Sequence, residues 1–133
     1  MRSLFTIFVM LHGLVHLWYF TLSRGLVAYK PEMGWTGRSW LFSNLLGDSL
    51  TRTIAGVVYV VATVSFLVSG VGLFARAGWW RPLLTTSACL SAAAILVFWD
   101  GRTELIVQRG LIGLLINLGI LLLVLGFRWP SFY

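Results

Sequence analysis

Four apolar runs, each long enough to cross a lipid bilayer as a helix, dominate this sequence. Spanning the hydrocarbon core takes roughly 20 residues of helix, and the runs fall at about 4–22, 54–74, 83–99 and 105–127. Charges bracket them: Arg2 and Arg24, Arg52 and Arg76, Arg81 and Asp100, Glu104 and Arg128. Inside the runs the one charged residue is Arg109, about one turn into the fourth. Lipid offers no water to backbone N–H and C=O groups, so each run must satisfy them within itself, as a helix does. The expected fold is all-α: an integral membrane four-helix transmembrane bundle, with residues 1–133 as one transmembrane domain.

Composition agrees with that reading. Charged residues make up 11% of the chain, against roughly 25% in a soluble domain. Mean hydropathy is +0.90. The net charge of +6 comes from ten Lys and Arg against four Asp and Glu. These basic residues flank apolar runs, which points to headgroup anchoring, with membrane lipids as partners, and away from nucleic acid. One cysteine, Cys89, rules out a dithiol mechanism within the chain and fits a small packing residue. Arg2 followed by an apolar stretch opens like a secretory signal. However, His12 and His16 interrupt it and no small-residue cleavage site precedes Arg24, so it reads as a retained first helix.

The connections differ in kind. Around Gly78 and Pro82, and again at Asp100–Thr103, tight turns make the second, third and fourth helices antiparallel neighbours. The first connection is long and carries Tyr29, Pro31, Trp35 and Trp40. A structureless loop of that length is unusual, so a short interfacial helix is expected at about 39–47, its aromatics at headgroup level, as a lid over that face. All four acids lie on the side of the first and third connections. Counting every Lys and Arg makes that side cytoplasmic, whereas the charges in the shortest segments put both termini there instead. Small residues recur on the second run (Gly56, Thr63, Gly70) and on the fourth (Gly119, Gly126), for internal packing or for a dimer face.

His12 and His16 are the polar residues that stand out. Four apart, they share a helix face, roughly 15 Å and 21 Å in from Arg2. Polar side chains at that depth face a bundle interior or a wet cavity. Tyr59, Asn117, Gln108, Trp99 and Asp100 are placed by helix rise at compatible or shallower depths, so all seven are candidates for one pocket open toward the acid-bearing face. His12, His16 and Asp100 are the catalytic candidates, because histidine titrates near neutrality and an aspartate tunes it. Tyr59, Trp99, Gln108 and Asn117 are the ligand-binding candidates. Each also has a plain structural reading: a histidine bonded to the next helix, Asn117 as interhelical glue, Asp100-Gly101 as a turn, Tyr59 and Trp99 as interfacial aromatics.

Two histidines on one helix do not make a complete metal site, and bis-histidine haem needs ligands on opposite sides of the iron. No metal is expected, haem is disfavoured and a quinone remains open. The chain has no nucleotide fingerprint, no P-loop and no G-x-S-x-G.

Three segments together resemble the DoxX-like group of small four-helix bacterial membrane proteins. They are GLVHLWYF, GVGLFARAGWWRPLLTTSACLSAAAILVFWDGRTELI and INLGILLLVLG, and the matching positions are His16, Trp79-Trp80, Trp99-Asp100 and Asn117. Relatives often carry a serine between that Trp and Asp and a lysine soon after, whereas here Trp99 meets Asp100 directly and Arg102 follows. The resemblance implies a multi-pass protein of a bacterial or archaeal inner membrane and a link to quinone-dependent oxidoreductases. The expected function is binding of a small hydrophobic ligand, quinone or lipid-like, in a polar intramembrane pocket, as a redox subunit. The alternatives are a proton-coupled transporter or channel component, and a structural subunit of a homo-oligomer or larger membrane complex. Whether the chain is an enzyme stays open at this point.

Overall fold

The structure, a computed structural model, describes residues 1–130. Each apolar run forms a helix: α1 Arg2–Ser23, α3 Asp48–Phe74, α4 Trp80–Val97 and α5 Val107–Gly126, all long and apolar enough to span a membrane. A five-residue helix, α2 (Phe42–Leu46), lies in the first connection after a single 3-10 turn at Pro31–Met33. The expected interfacial helix is thus present but shorter. Ser39 precedes it by making a turn, its hydroxyl accepting from the N–H of Leu41 and Phe42.

Helix ends depart from the sequence expectation for local reasons. Gly47, at φ +80°, stops α2, and α3 starts at once with Asp48, an acid placed favourably at a helix N-terminus. The helix therefore begins well before the apolar run. At the same end of the bundle the third helix stops at Val97, which leaves Trp99 and Asp100 in the turn. The fourth helix is delayed to Val107. It is regular only over Ile112–Leu121, with wider π-type turns on either side, and Gly110 sits in the first of these at φ +118°, which only glycine adopts readily.

The helices pack in the order α1, α3, α4, α5. Their outer faces are apolar, with Ile7, Leu11, Val57, Val61, Val64, Leu115 and Leu118 all exposed. Polarity lies inside, where Thr51, Thr63, Ser69, Ser87, Ser91 and Asn117 are buried. This is the distribution that lipid demands. Two apolar layers fill the interior. One, toward the termini, contains Phe5, Val9, Phe66, Leu73, Leu84, Ile120 and Val124. The other, toward the first connection, contains Leu22, Trp35, Ala55, Tyr59 and Phe98. His12, His16, Ser91 and Asn117 lie between them along the helices.

The small residues of α3 pack inside the bundle. A Cβ on Gly56 would stand 2.9 Å from Ser23 Oγ, and one on Gly70 would meet Met10. On α1, a Cβ on Gly13 would stand 2.5 Å from Phe66 Cβ. The α1–α3 contact is therefore a close approach of two backbones, the kind of packing that holds helices together where lipid removes the hydrophobic drive. Gly119 has nothing within 4 Å of such a Cβ.

The first connection acts as a cap on α4. The last carbonyls of a helix lack intrahelical donors. Here Trp40 Nε1 donates to the Leu96 carbonyl at 2.9 Å and the Ser39 hydroxyl to that of Val97. Trp35 Nε1 donates to the Phe98 carbonyl at 2.7 Å, and the Trp40 N–H to that of Trp99 at 2.8 Å. Trp35 is buried, its ring 5.8 Å from Tyr59 and 6.1 Å from Phe98. What the sequence suggested as a lid is bonded down.

Three stability outcomes follow. Gly13→Ala should destabilise the bundle by about 1–3 kcal/mol through overpacking against Phe66, despite the better helix propensity of alanine. Gly119→Ala should be neutral or stabilise by up to about 1 kcal/mol. Trp35→Phe keeps a ring but loses the donor, and should cost about 1–3 kcal/mol by leaving the Phe98 carbonyl short of a partner. Thermal unfolding of the full chain in detergent or nanodiscs measures all three.

Candidate functional site

The histidines are placed by α1, where four-residue spacing sets both rings on the face turned toward α4 and α5. His12 Nε2 is 2.9 Å from Asn117 Oδ1 on α5. Asn117 Nδ2 donates to Ser91 Oγ on α4 at 2.7 Å. Ser91 Oγ is 2.6 Å from His16 Nε2. His16 Nδ1 lies 3.1 Å and 3.2 Å from the carbonyls of His12 and Gly13. A polar ring thus ties three helices together at mid-depth.

The ring has a direction that its partners fix. Carbonyl oxygens only accept, so His16 Nδ1 carries a proton and, in the neutral imidazole, Nε2 is an acceptor. Ser91 must then donate its hydroxyl proton to His16 and accept from the Asn117 amide. Asn117 Oδ1 accepts in turn, which assigns a proton to His12 Nε2. These protonation states are assigned from the bonding pattern. One imidazole nitrogen, His12 Nδ1, is not used by the ring and is left as an acceptor.

A cleft of about 210 Å³ runs beside the histidines. Its α1 wall is His12, Val15, His16 and Tyr19, and its α5 wall is Gly110, Ile112, Gly113 and Ile116. Val15 and Ile112 also belong to the apolar outer surface, so the cleft reaches the lipid side between α1 and α5. The volume is small against the roughly 300–1,000 Å³ of a typical ligand pocket. It fits a ring or a head, with any long tail left in the bilayer. The aromatic surround is close: His12 and His16 rings are 5.3 Å apart, and Phe66 lies 5.1 Å and 5.5 Å from them.

The seven residues expected in one pocket divide into separate groups. His12, His16 and Asn117 come together. Tyr59 lies beside them, buried, 6.4 Å from His16 by ring centroids and 5.2 Å from Tyr19. Gln108 is exposed and lies outside the cleft, although its neighbours Val107 and Gly110 line it. Asp100 and Trp99 are elsewhere, in the turn after α4. Asp100 is held by Arg109 at 3.0 Å, with both side chains more than nine-tenths buried, at 7% and 9% exposure. Trp99 Nε1 donates to the Arg102 carbonyl. Asp100 is therefore bonded to a cation of its own and does not face the histidines.

Ser91 is the member that sequence reasoning passed over. Its signal was present, since Ser87, Ser91 and Ala94 repeat at helical spacing on the buried face of α4. Among the described residues no three His, Cys, Asp or Glu side chains come close enough to hold a metal ion.

Comparison of the chain with models of protein families, with curated proteins and with solved structures gives no match.

The Asp100–Arg109 pair carries its own expectation. Asp100→Ala leaves a buried guanidinium unpaired and should destabilise the fold by about 3–5 kcal/mol. Replacing both, as Asp100→Ala with Arg109→Leu, should cost clearly less. A double-mutant cycle on thermal unfolding checks this, and strict additivity of the two changes would refute the coupling.

Proposed function

We propose that this chain binds a small hydrophobic molecule with a hydroxyl-bearing head, a quinol or a lipid-like alcohol, at the His12–His16 cleft. The observation that carries the reading is the directed hydrogen-bond ring. It leaves His12 Nδ1 as an acceptor in a residue that lines a cleft reaching the lipid side. A ligand dissolved in the bilayer enters sideways between α1 and α5, and its head donates to that nitrogen. A neutral imidazole acceptor favours a hydroxyl over a carbonyl, hence the reduced over the oxidised form of a quinone.

In the redox form of this proposal, two electrons leave the quinol for an acceptor on a partner subunit. Of its two hydroxyl protons, one goes to His12 Nδ1 and the other goes with the electrons to that acceptor, which takes up two electrons and one proton. This agrees with the resemblance of GLVHLWYF and the Trp99-Asp100 region to DoxX-like proteins. We place the chain in a bacterial or archaeal inner membrane with both termini cytoplasmic. A second reading rests on the same ring. Four buried side chains that satisfy one another are also what a purely structural tie between α1, α4 and α5 requires.

The two readings separate on His12. Binding of decylubiquinol and of its oxidised form to the purified chain in nanodiscs is measured by isothermal titration, for wild type and His12→Leu. Ligand binding predicts roughly tenfold tighter association of the reduced form, and its loss in a His12→Leu protein that still shows the helical spectrum. Equal and undiminished binding by a folded His12→Leu protein sinks the proposal. No binding to wild type, together with a lower unfolding temperature in the variant, leaves the structural tie.

A further inference from the structure

At the membrane surface, apart from the histidines, a second cleft of about 440 Å³ opens beneath the first connection. Its position follows from the elements around it. It lies beyond the end of α4 at Val97 and before the starts of α3 at Asp48 and α5 at Val107, so it sits at the level of the helix termini, where headgroups lie. Arg38, Arg102 and Arg109 line it, together with Tyr29, Ser43 and Asn44.

The charge in this cleft is unbalanced. Asp100 is the one acid lining it, and Arg109 already neutralises that carboxylate. Arg38 meets Asp48 at 3.5 Å, but both side chains are largely exposed, at 60% and 45%, where such a pair contributes little. The Arg102 guanidinium makes no hydrogen bond or ion pair among the described residues, although its backbone N–H and carbonyl are engaged by Asp100, Trp99 and Arg109. Arg109 is nine-tenths buried, and its Nε has no hydrogen-bond partner. The Arg102 guanidinium and one buried N–H thus lack an acceptor around one concavity, and Arg38 beside them holds only a long, exposed pair. Guanidinium groups recognise phosphate through paired donors.

The neighbouring surface indicates what carries the phosphate. Arg109 also lines an apolar crevice of about 120 Å³ between α4 and α5, with Leu96, Trp99, Ile106, Leu111 and Leu114. Leu96 and Ile106 belong to the exposed apolar surface of the bundle. One buried arginine therefore stands between a cationic cleft at headgroup depth and an apolar crevice running along the spans.

We propose that this cleft binds the phosphate of an anionic phospholipid or similar amphiphile, with the phosphate held by Arg38, Arg102 and Arg109 and an acyl chain in the α4–α5 crevice. The site is independent of the histidine cleft, and failure of either proposal leaves the other standing.

The test uses the full chain in dodecyl maltoside, titrated separately with didecanoyl phosphatidic acid, didecanoyl phosphatidylcholine and inorganic phosphate, and followed by tryptophan fluorescence. Phosphatidic acid should bind saturably. Arg102→Gln and Arg38→Gln should each weaken it about tenfold, and Arg24→Gln, which changes net charge equally but lies outside the cleft, should not. Neither Arg38 nor Arg102 contributes a side chain to the core, so both variants should unfold at the wild-type temperature. Phosphatidylcholine should bind more weakly, because its cationic headgroup opposes the guanidinium groups. Inorganic phosphate binding as tightly as phosphatidic acid would assign the cleft to a soluble anion and overturn the amphiphile. Equal losses in all three arginine variants, or none in any, would reduce the effect to general charge attraction and overturn the site.

Discussion

Along its spanning length the outside of this bundle is apolar, so a polar group within the spans has only the interior in which to find a partner. Much of the internal arrangement follows from that constraint. Threonines and serines return their hydroxyls to carbonyls one turn back, as Thr63 does to Tyr59 and Ser87 to Leu83. Groups that cannot satisfy themselves locally are gathered into one layer, where His12, Asn117, Ser91 and His16 close on one another between two apolar layers. The carbonyls at the end of α4 cannot be satisfied by their own helix, and the first connection reaches over to supply three tryptophan or serine side-chain donors and one backbone N–H.

The same constraint separates two kinds of chemistry by depth. At mid-membrane the polar groups are neutral and directional, and their hydrogen-bond ring leaves one acceptor nitrogen over. At the headgroup level the groups are charged, and the excess is cationic. The Asp100–Arg109 pair marks the boundary. It neutralises the one charge inside the fourth apolar run and fixes the turn between α4 and α5. A ligand for the deeper cleft would be hydrophobic with a small donor head. A ligand for the shallower one would be an anion.

Much of this was legible in the residues. The four spans, their antiparallel connections and the depth of His12 and His16 need only apolar length and helix rise. Asn117 was legible as a companion because an amide at mid-span has few other uses. Rotation about each helix axis was not legible, and it decided the rest. Asp100 matched the histidines as a plausible tuning group, yet the turn after Val97 carries it to Arg109. Gln108, expected at a shallower depth in the same pocket, faces outward, at the wide turn around Gly110. Ser91 was overlooked because a hydroxyl can always satisfy itself on its own helix, and nothing in its immediate neighbours says that it does otherwise.

The sequence by itself determined that the chain is a bundle of four membrane-length helices, because lipid leaves an apolar segment no other way to satisfy its backbone. It also determined that the polar residues deepest in those segments, His12, His16 and Asn117, turn inward. Only the tertiary structure decided which of them meet. That outcome depends on close backbone approaches at Gly13, Gly56 and Gly70 and on the ends of α3, α4 and α5, features set by contacts between helices rather than within them. Depth along a helix is a one-dimensional property that a sequence carries. The angle around it belongs to the packing.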